Sequence, residues 1–593
     1  MESSVAINQP VVAQRRLNPF AFPVETDARF RLLLASAVAL TFAMSFSLLE
    51  FTGWIGPIGT LFLFLGLTIY FCRRHPAQIR RQKGLVPADA QKDAALLSAV
   101  TQLAADAGVA PLPQIELGPQ KSQDGQAFGF AAQPILRLGG GLRFLRLKKP
   151  AFFQAIVVHE LAHLINRDVQ RTYWSQALWQ AFLIVMCLLA PLHWLFFFSN
   201  STDNGIWTIF AVPMALIMIL LIGAKIALII LLVAFIRRGV LQVREYYADW
   251  RATVCGAEAG MLEILKQPRT EPTLSRWQRL MRFHPSADER YAILTNPAPL
   301  FRVNRELPFT AGILTGVLFD GILRLLLWFY FVIDIHSAPF SLLTGLSLLI
   351  TLGALFLLAS LLIDTVGLQV MRESIADLVY NHLGFRRYMR LLMPALLMAI
   401  GFQLGSILVP YSSFTAARPQ PQIESSLAQM LGLFNEFLVT QLLLGIALTF
   451  VNWMGLAMMR LLAQFALRRA SDVETFGRQL QRVLLGPRLW FCAMYLLVLS
   501  FSLMRNETLT VLEWVWLAVI ALIVSAFVLI SIRLGLAVHR FRATPHCPKC
   551  GEKIDSKLIF TSGCRVCGYD SVSWLFADPL LQHVPLYEPQ VKN

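Results

Sequence analysis

Charge is scarce in this sequence. Only 15% of its 593 residues are Asp, Glu, Lys or Arg, against about 25% in soluble domains. With 56% hydrophobic residues and a mean hydropathy of +0.57, the composition excludes an ordinary soluble globule. It calls for a polytopic membrane protein. A cleavable leader is not expected, because residues 1–29 lack an apolar core and the first long apolar run starts near Phe30. Lipidation signals are missing too: Glu2 stands where N-myristoylation needs glycine, and the chain ends Val591-Lys592-Asn593. Histidine is rare, with 10 in the chain, so two at ligand spacing carry weight.

What is abundant is apolar sequence in long runs. About ten of these reach membrane length, near 31–51, 54–72, 173–198, 206–236, 309–333, 340–363, 391–411, 431–459, 489–504 and 511–533. With the N-terminus inside, the expected outer loops hold only the basic residues Arg418 and Arg505, while Arg73, Arg74, Arg237, Arg238, Arg386, Arg387, Arg468 and Arg469 fall inside. That asymmetry obeys the positive-inside rule and places both termini in the cytosol. It also accounts for the net charge of +16 through anionic headgroups, so no nucleic-acid partner is expected.

The expected organisation is an N-terminal segment with two spans (1–72), then a metal-binding region (73–308) interrupted by two spans (about 173–236). A bundle of about six spans (309–540) and a tail (541–593) follow. Within the second region a helix is expected over Asp89 to Ala107, strands at Gln114–Leu117 and Ala127–Leu138, and a Gly139-Gly140-Gly141 turn. Pro150 then opens a helix running to Asn166.

That last helix carries His159-Glu160-Leu161-Ala162-His163. Four residues apart, the two histidines share one helix face and can grip one metal ion, with Glu160 beside them to accept a proton from water. Two neutral imidazoles and a carboxylate are a zinc donor set that leaves a position for water. The carboxylate is expected from Arg244-Glu245-Tyr246-Tyr247-Ala248-Asp249, which continues the fourth span. Glu245 and Asp249 share a face, so Glu245 can ligate while Asp249 accepts the spare N–H of a ligating histidine. The same pattern recurs at Arg372-Glu373-Ser374-Ile375-Ala376-Asp377, which leaves Glu373 as the alternative third donor. Glu245 is preferred because a His284-Pro285-Ser286 segment follows it and no second HExxH accompanies Glu373.

In three segments the chain resembles the HtpX and CAAX prenyl protease family of membrane metallopeptidases: HELAHLINRD (159–168), REYYADWRA (244–252) and HPSADERYAIL (284–294). Leu103 to Val109 and Gln126-Ala127-Phe128 look similar as well, so the likeness covers roughly residues 30–300. The resemblance implies a mainly α, polytopic helical membrane protein with a cytosolic α+β, gluzincin-like protease domain. It implies His159, His163 and Glu245 as ligands of a catalytic zinc, Glu160 as base, His284 as an oxyanion donor and Asp168 as a support at the helix end. The function to expect is a zinc endopeptidase cutting polypeptides or membrane proteins at the cytosolic membrane face, for quality control or processing. The substrate would add as a strand along Ala127 to Leu138.

The tail adds Cys547-Pro548-Lys549-Cys550 and Cys564-Arg565-Val566-Cys567. Two such knuckles close a tetrahedral four-thiolate site with no position for water, so this second zinc would be structural, in a ribbon that can also hold a protein partner. A cytosolic thiol site and the absent targeting signals suit a bacterial inner membrane. Two rival functions stay open at this level. One is a transporter or scaffold bundle with a non-catalytic protease-like domain. The other is a dedicated prenyl-protein or single-target protease.

Overall fold

The computed structural model describes residues 17–22, 25–45, 55–202, 211–267, 282–332, 340–379, 385–408, 427–468 and 473–504, with isolated positions at 48, 52, 470, 550–552, 566, 567 and 575. Among these residues the chain is mainly helical with one four-stranded sheet. Seven described helical segments are long and apolar enough to cross a membrane: Glu25–Ser45, Ile55–Lys83, Asp168–Leu192, Ile219–Lys266, Leu352–Leu378, Arg387–Ser406 and Gln441–Leu467. Two further expected spans fall on the helices Glu306–Val332 and Val473–Met504. The tenth, 511–533, lies outside the described residues.

Helix α1 (Glu25–Ser45) begins well before the expected 31. The reason is that its polar first turn is buried rather than wet. Glu25 pairs with Arg29 at 2.7 Å and accepts from Gln369 Nε2 at 2.6 Å, so the helix starts inside a bundle and not at the first apolar residue. Helix α2 (Ile55–Lys83) leads out of the bundle to the sheet. Helix α3 (Ala94–Asp106) is shorter than expected, because the Asp89 carboxylate accepts from the N–H groups of Gln91 and Lys92 and closes a turn there.

The sheet runs β1 (Val86–Pro87), β2 (Gln114–Leu117), β4 (Gln133–Leu138) and β3 (Gly125–Phe130) in spatial order. The single strand expected over Ala127–Leu138 is a hairpin. Chain direction reverses at Ala131-Ala132, and β3 pairs antiparallel with β4 from Gly125↔Leu138 to Phe130↔Gln133. Gly129, at φ +92 with a would-be Cβ 2.5 Å from the Gln133 carbonyl oxygen, permits that close return. The hairpin makes β3 an edge strand.

Helix α4 (Pro150–Ile165) is apolar on two sides and is packed on both. Phe153, Val157 and Leu161 join Val100 of α3 with Leu136 and Leu138 of β4. Ala155 and Val158 join Tyr247, Trp250, Met261 and Leu265 from α6 (Ala211–Ala252) and α7 (Glu258–Lys266). Burial on this scale stabilises each large side chain by about 1.5–3 kcal/mol. Helix α5 (Asp168–Thr202) leaves α4 through Arg167 at φ +57. A π turn at Thr253–Ala257 bends α6 into α7. There Gly260 lies so close to α4 that a Cβ would meet the Ala151 carbonyl oxygen at 2.2 Å.

Beyond α8 (Ala287–Thr295) come α9 (Glu306–Val332), α10 (Phe340–Leu362), α11 (Leu368–Val379), α12 (Leu392–Leu408), α13 (Leu427–Arg468) and α14 (Val473–Met504). Gly312 and Gly316 of α9 face Gly401 and Gly405 of α12, and a Cβ at any of the four would fall within 2.3 Å of a facing carbonyl oxygen. Small residues four apart on both helices allow this close crossing.

Candidate metal centre

Because α4 is wedged between the sheet and α6, its two histidines are buried and aimed at one point. His159 and His163 are 8% and 5% exposed, and their rings meet edge-on with centroids 4.9 Å apart. Across from them, Glu245 of α6 is 5% exposed. His159 Nε2 lies 3.5 Å from Glu245 Oε2, and His163 Nε2 lies 3.7 Å from Glu245 Oε1. One donor atom from each residue falls within 4.8 Å of the other two, and among the described residues no other group of three such side chains does so.

Each ring is braced from behind. Asp249 Oδ1 sits 2.9 Å from His159 Nδ1, which leaves Nε2 facing Glu245. Asp168 Oδ2 sits 3.5 Å from His163 Nδ1, and both atoms are buried without a hydrogen-bond partner. A cation drawing on His163 Nε2 would favour the proton on Nδ1 and hence a bond to Asp168. Burial pulls the His159 imidazole down, yet hydrogen bonds to Asp249 and Glu245 hold it up at about 9. The pocket therefore favours positive charge between these side chains. Two imidazoles, one carboxylate and a braced back row fit zinc chemistry.

Glu160, on the adjoining side of the helix, reaches toward the sheet. Its Oε2 accepts from the Ala127 N–H of edge strand β3 at 2.8 Å. Gly125 makes this approach possible, since a Cβ there would lie 2.6 Å from Glu160 Cγ. The next outward N–H, that of Gly129, donates to Tyr173 Oη at 2.6 Å. Both donors are thus already engaged within the chain.

The third sequence segment reaches the centre through a residue that sequence reasoning missed. Ser286 and Glu289 form a reciprocal capping box that starts α8. One turn on, Arg290 grips both Asp249 oxygens, with its Nε donating at 2.6 Å and its Nη2 donating to Oδ1. Asp249 is thereby fixed from one side while it fixes His159 on the other. His284 is 69% exposed, with Nδ1 3.7 Å from Glu245 Oε1. It rims the centre without being packed into it. Arg244 also holds Glu245, donating from Nε to Oε1 at 3.0 Å. Glu373 lies elsewhere: its carboxylate accepts from the Val303 N–H at 3.1 Å.

A cavity of about 420 Å³ opens onto Glu160, His163, Glu245 and His284. Residues 91–298 match the family model of Peptidase family M48. That stretch supports the M48 metallopeptidase family. It runs from α3 through α8 and contains every side chain of the centre just described. Peptidases of this family are zinc metalloproteases. No curated protein and no solved structure matches the chain significantly.

In the tail, Cys547 and Cys564 lie outside the described residues. Of their expected partners, Cys550 is exposed and Cys567 half-buried.

Proposed function

We propose that the protein is an integral-membrane zinc endopeptidase that cuts polypeptides at the cytosolic face of a membrane. The observation carrying this reading is the buried meeting of His159, His163 and Glu245, with Glu160 on the same helix facing a cavity. His159 and His163 would hold the ion from α4 and Glu245 from α6, with Asp249 and Asp168 setting the rings. A zinc ion bound there supplies a Lewis acid for the scissile carbonyl and makes water a stronger acid. Glu160 would accept a proton from the water that adds to the scissile carbonyl carbon and pass it to the amine nitrogen as the C–N bond breaks. His284, at the rim, donates to the oxygen on which charge develops. Glu160 must first leave Ala127, and its departure frees an edge-strand N–H for the substrate backbone. Recognition through backbone groups tolerates many sequences, which suits quality control or broad processing.

The seven apolar helical segments support a multi-pass membrane protein. We place it in a bacterial inner membrane with both termini cytosolic, and assign a structural zinc to Cys547, Cys550, Cys564 and Cys567, where a protein partner could dock.

The test uses the purified full chain and an unfolded membrane protein as substrate. Cleavage that stops with a chelator and returns with added zinc is expected. Bound zinc at the histidine centre without hydrolysis would sink the reading and leave a scaffold instead.

A further inference from the structure

The cavity beside Glu160 is lined by four cationic side chains, Lys83, Arg137, Arg237 and Arg244. Two are neutralised within the chain. Arg137 forms a two-pronged bond with Asp124, and Arg244 pairs with Glu245 at 2.9 Å. Lys83 and Arg237 have no such counterpart: among the described residues neither comes within ion-pair distance of a carboxylate. The Lys83 ammonium donates to a neutral amide, Gln126 Oε1, at 2.7 Å. Arg237 is 8% exposed, donates to the neutral Gln176 Oε1, and has a buried Nε with no partner. The Phe283 ring covers its guanidinium at 4.3 Å.

An unneutralised guanidinium as buried as that of Arg237 is costly, and Lys83 beside the same cavity is half-buried. A metal ion at the neighbouring histidines would add positive charge to the cavity and deepen the imbalance. Of the cavity's carboxylates, Asp124 and Glu245 are paired with arginines, so Glu160 alone offsets at most one of the two cations. The remaining negative charge is left for whatever fills the cavity. Gln126, which holds Lys83, adjoins Ala127, which holds Glu160. Phe283, which covers Arg237, adjoins His284. Both cations therefore border the groups assigned to the reaction.

We propose that Lys83 and Arg237 form a carboxylate-binding subsite, so that this protein favours polypeptide substrates carrying a carboxylate close to the cut. The carboxylate is either an Asp or Glu side chain or the free C-terminus. This inference rests on the peptidase reading above, and the test separates the two.

Three matched fluorescent peptides test the native subsite: one neutral with an amidated end, one with a single Glu near the centre, and one neutral with a free C-terminus. A fourth, with Lys in place of that Glu, tests its reversal. Binding is measured by anisotropy on the full-length Glu160→Gln protein in detergent micelles, and hydrolysis on the zinc-loaded wild type. One or both carboxylate peptides should bind, and be cut, better than the neutral one by about tenfold or more, the scale of a charge-assisted hydrogen bond. The Glu peptide and the free-ended peptide report the two sources separately. Lys83→Glu should reverse the preference toward a matched Lys peptide, a gain that misfolding cannot mimic. Arg237→Gln should bring the carboxylate-to-neutral ratio toward unity. Equal binding of all three peptides, or a preference unmoved by Lys83→Glu, would overturn the subsite even if hydrolysis is robust. Preferential binding without hydrolysis would uphold the subsite and reject the peptidase reading.

Discussion

The chain writes the same pattern twice, Arg244-Glu245…Asp249 and Arg372-Glu373…Asp377, and the two copies do different work. In the first, the glutamate faces two imidazoles and the aspartate braces one of them. In the second, Glu373 accepts the Val303 N–H, while Asp377 pairs with Arg460 at 2.8 Å and with Arg387. Arg372, 2% exposed, lies 3.6 Å from Glu25 and stands over the rings of Phe22, Tyr247 and Phe301. Tyr247 belongs to the first copy, so the second copy leans directly on the helix that presents Glu245. What separates them is the partner across the gap. Two histidines face the one carboxylate and complete a group that could hold a metal ion, and arginines and a backbone amide turn the other into a brace.

The largest expected effects come from exchanging the two glutamates. Glu245→Gln should lose zinc from the histidine centre, with hydrolysis down about 10³-fold or more. Glu373→Gln should keep that zinc and most of the activity. Metal analysis beside peptide assays checks both, and loss of the histidine-site zinc in Glu373→Gln alone would reverse the assignment.

The aspartates come next. Asp377→Asn removes one side of a buried ion pair and should cost about 3 kcal/mol of stability, seen as a lower unfolding temperature with zinc content unchanged. On the first copy, Arg290→Gln frees Asp249 and should weaken zinc binding about 10- to 100-fold, the usual range for a group that orients a ligand. Zinc competition with a chelating dye reads that change. Wild-type affinity in Arg290→Gln would show that Asp249 holds His159 unaided.

The smallest effect is steric. Gly125→Ala pushes on Glu160 and should slow hydrolysis about tenfold, roughly the cost of a misplaced base, while leaving bound zinc intact.

The comparison also shows how far sequence reaches. His159 and His163 were legible because helical spacing fixes their common face, and the Glu245 segment because it directly prolongs a span. Glu373 stayed a candidate because a six-residue pattern says nothing of what lies opposite. Arg290 was not legible as part of the centre, since its bond to Asp249 joins residues 41 apart in sequence. Gly125 matters through space it leaves empty, which no pattern records. The hairpin was hidden because Ala131-Ala132 carries none of the usual turn chemistry. The early start of α1 was hidden because the buried Glu25 and Arg29 look, in sequence, like a water-facing flank.

The most direct measurement is the rate at which purified full-length protein cuts an unfolded polypeptide, for the wild type and Glu160→Gln at matched zinc content. Glu160→Gln should retain its zinc and cut about 10²- to 10⁴-fold more slowly. Equal rates in the two proteins would contradict the assignment of Glu160 as the base.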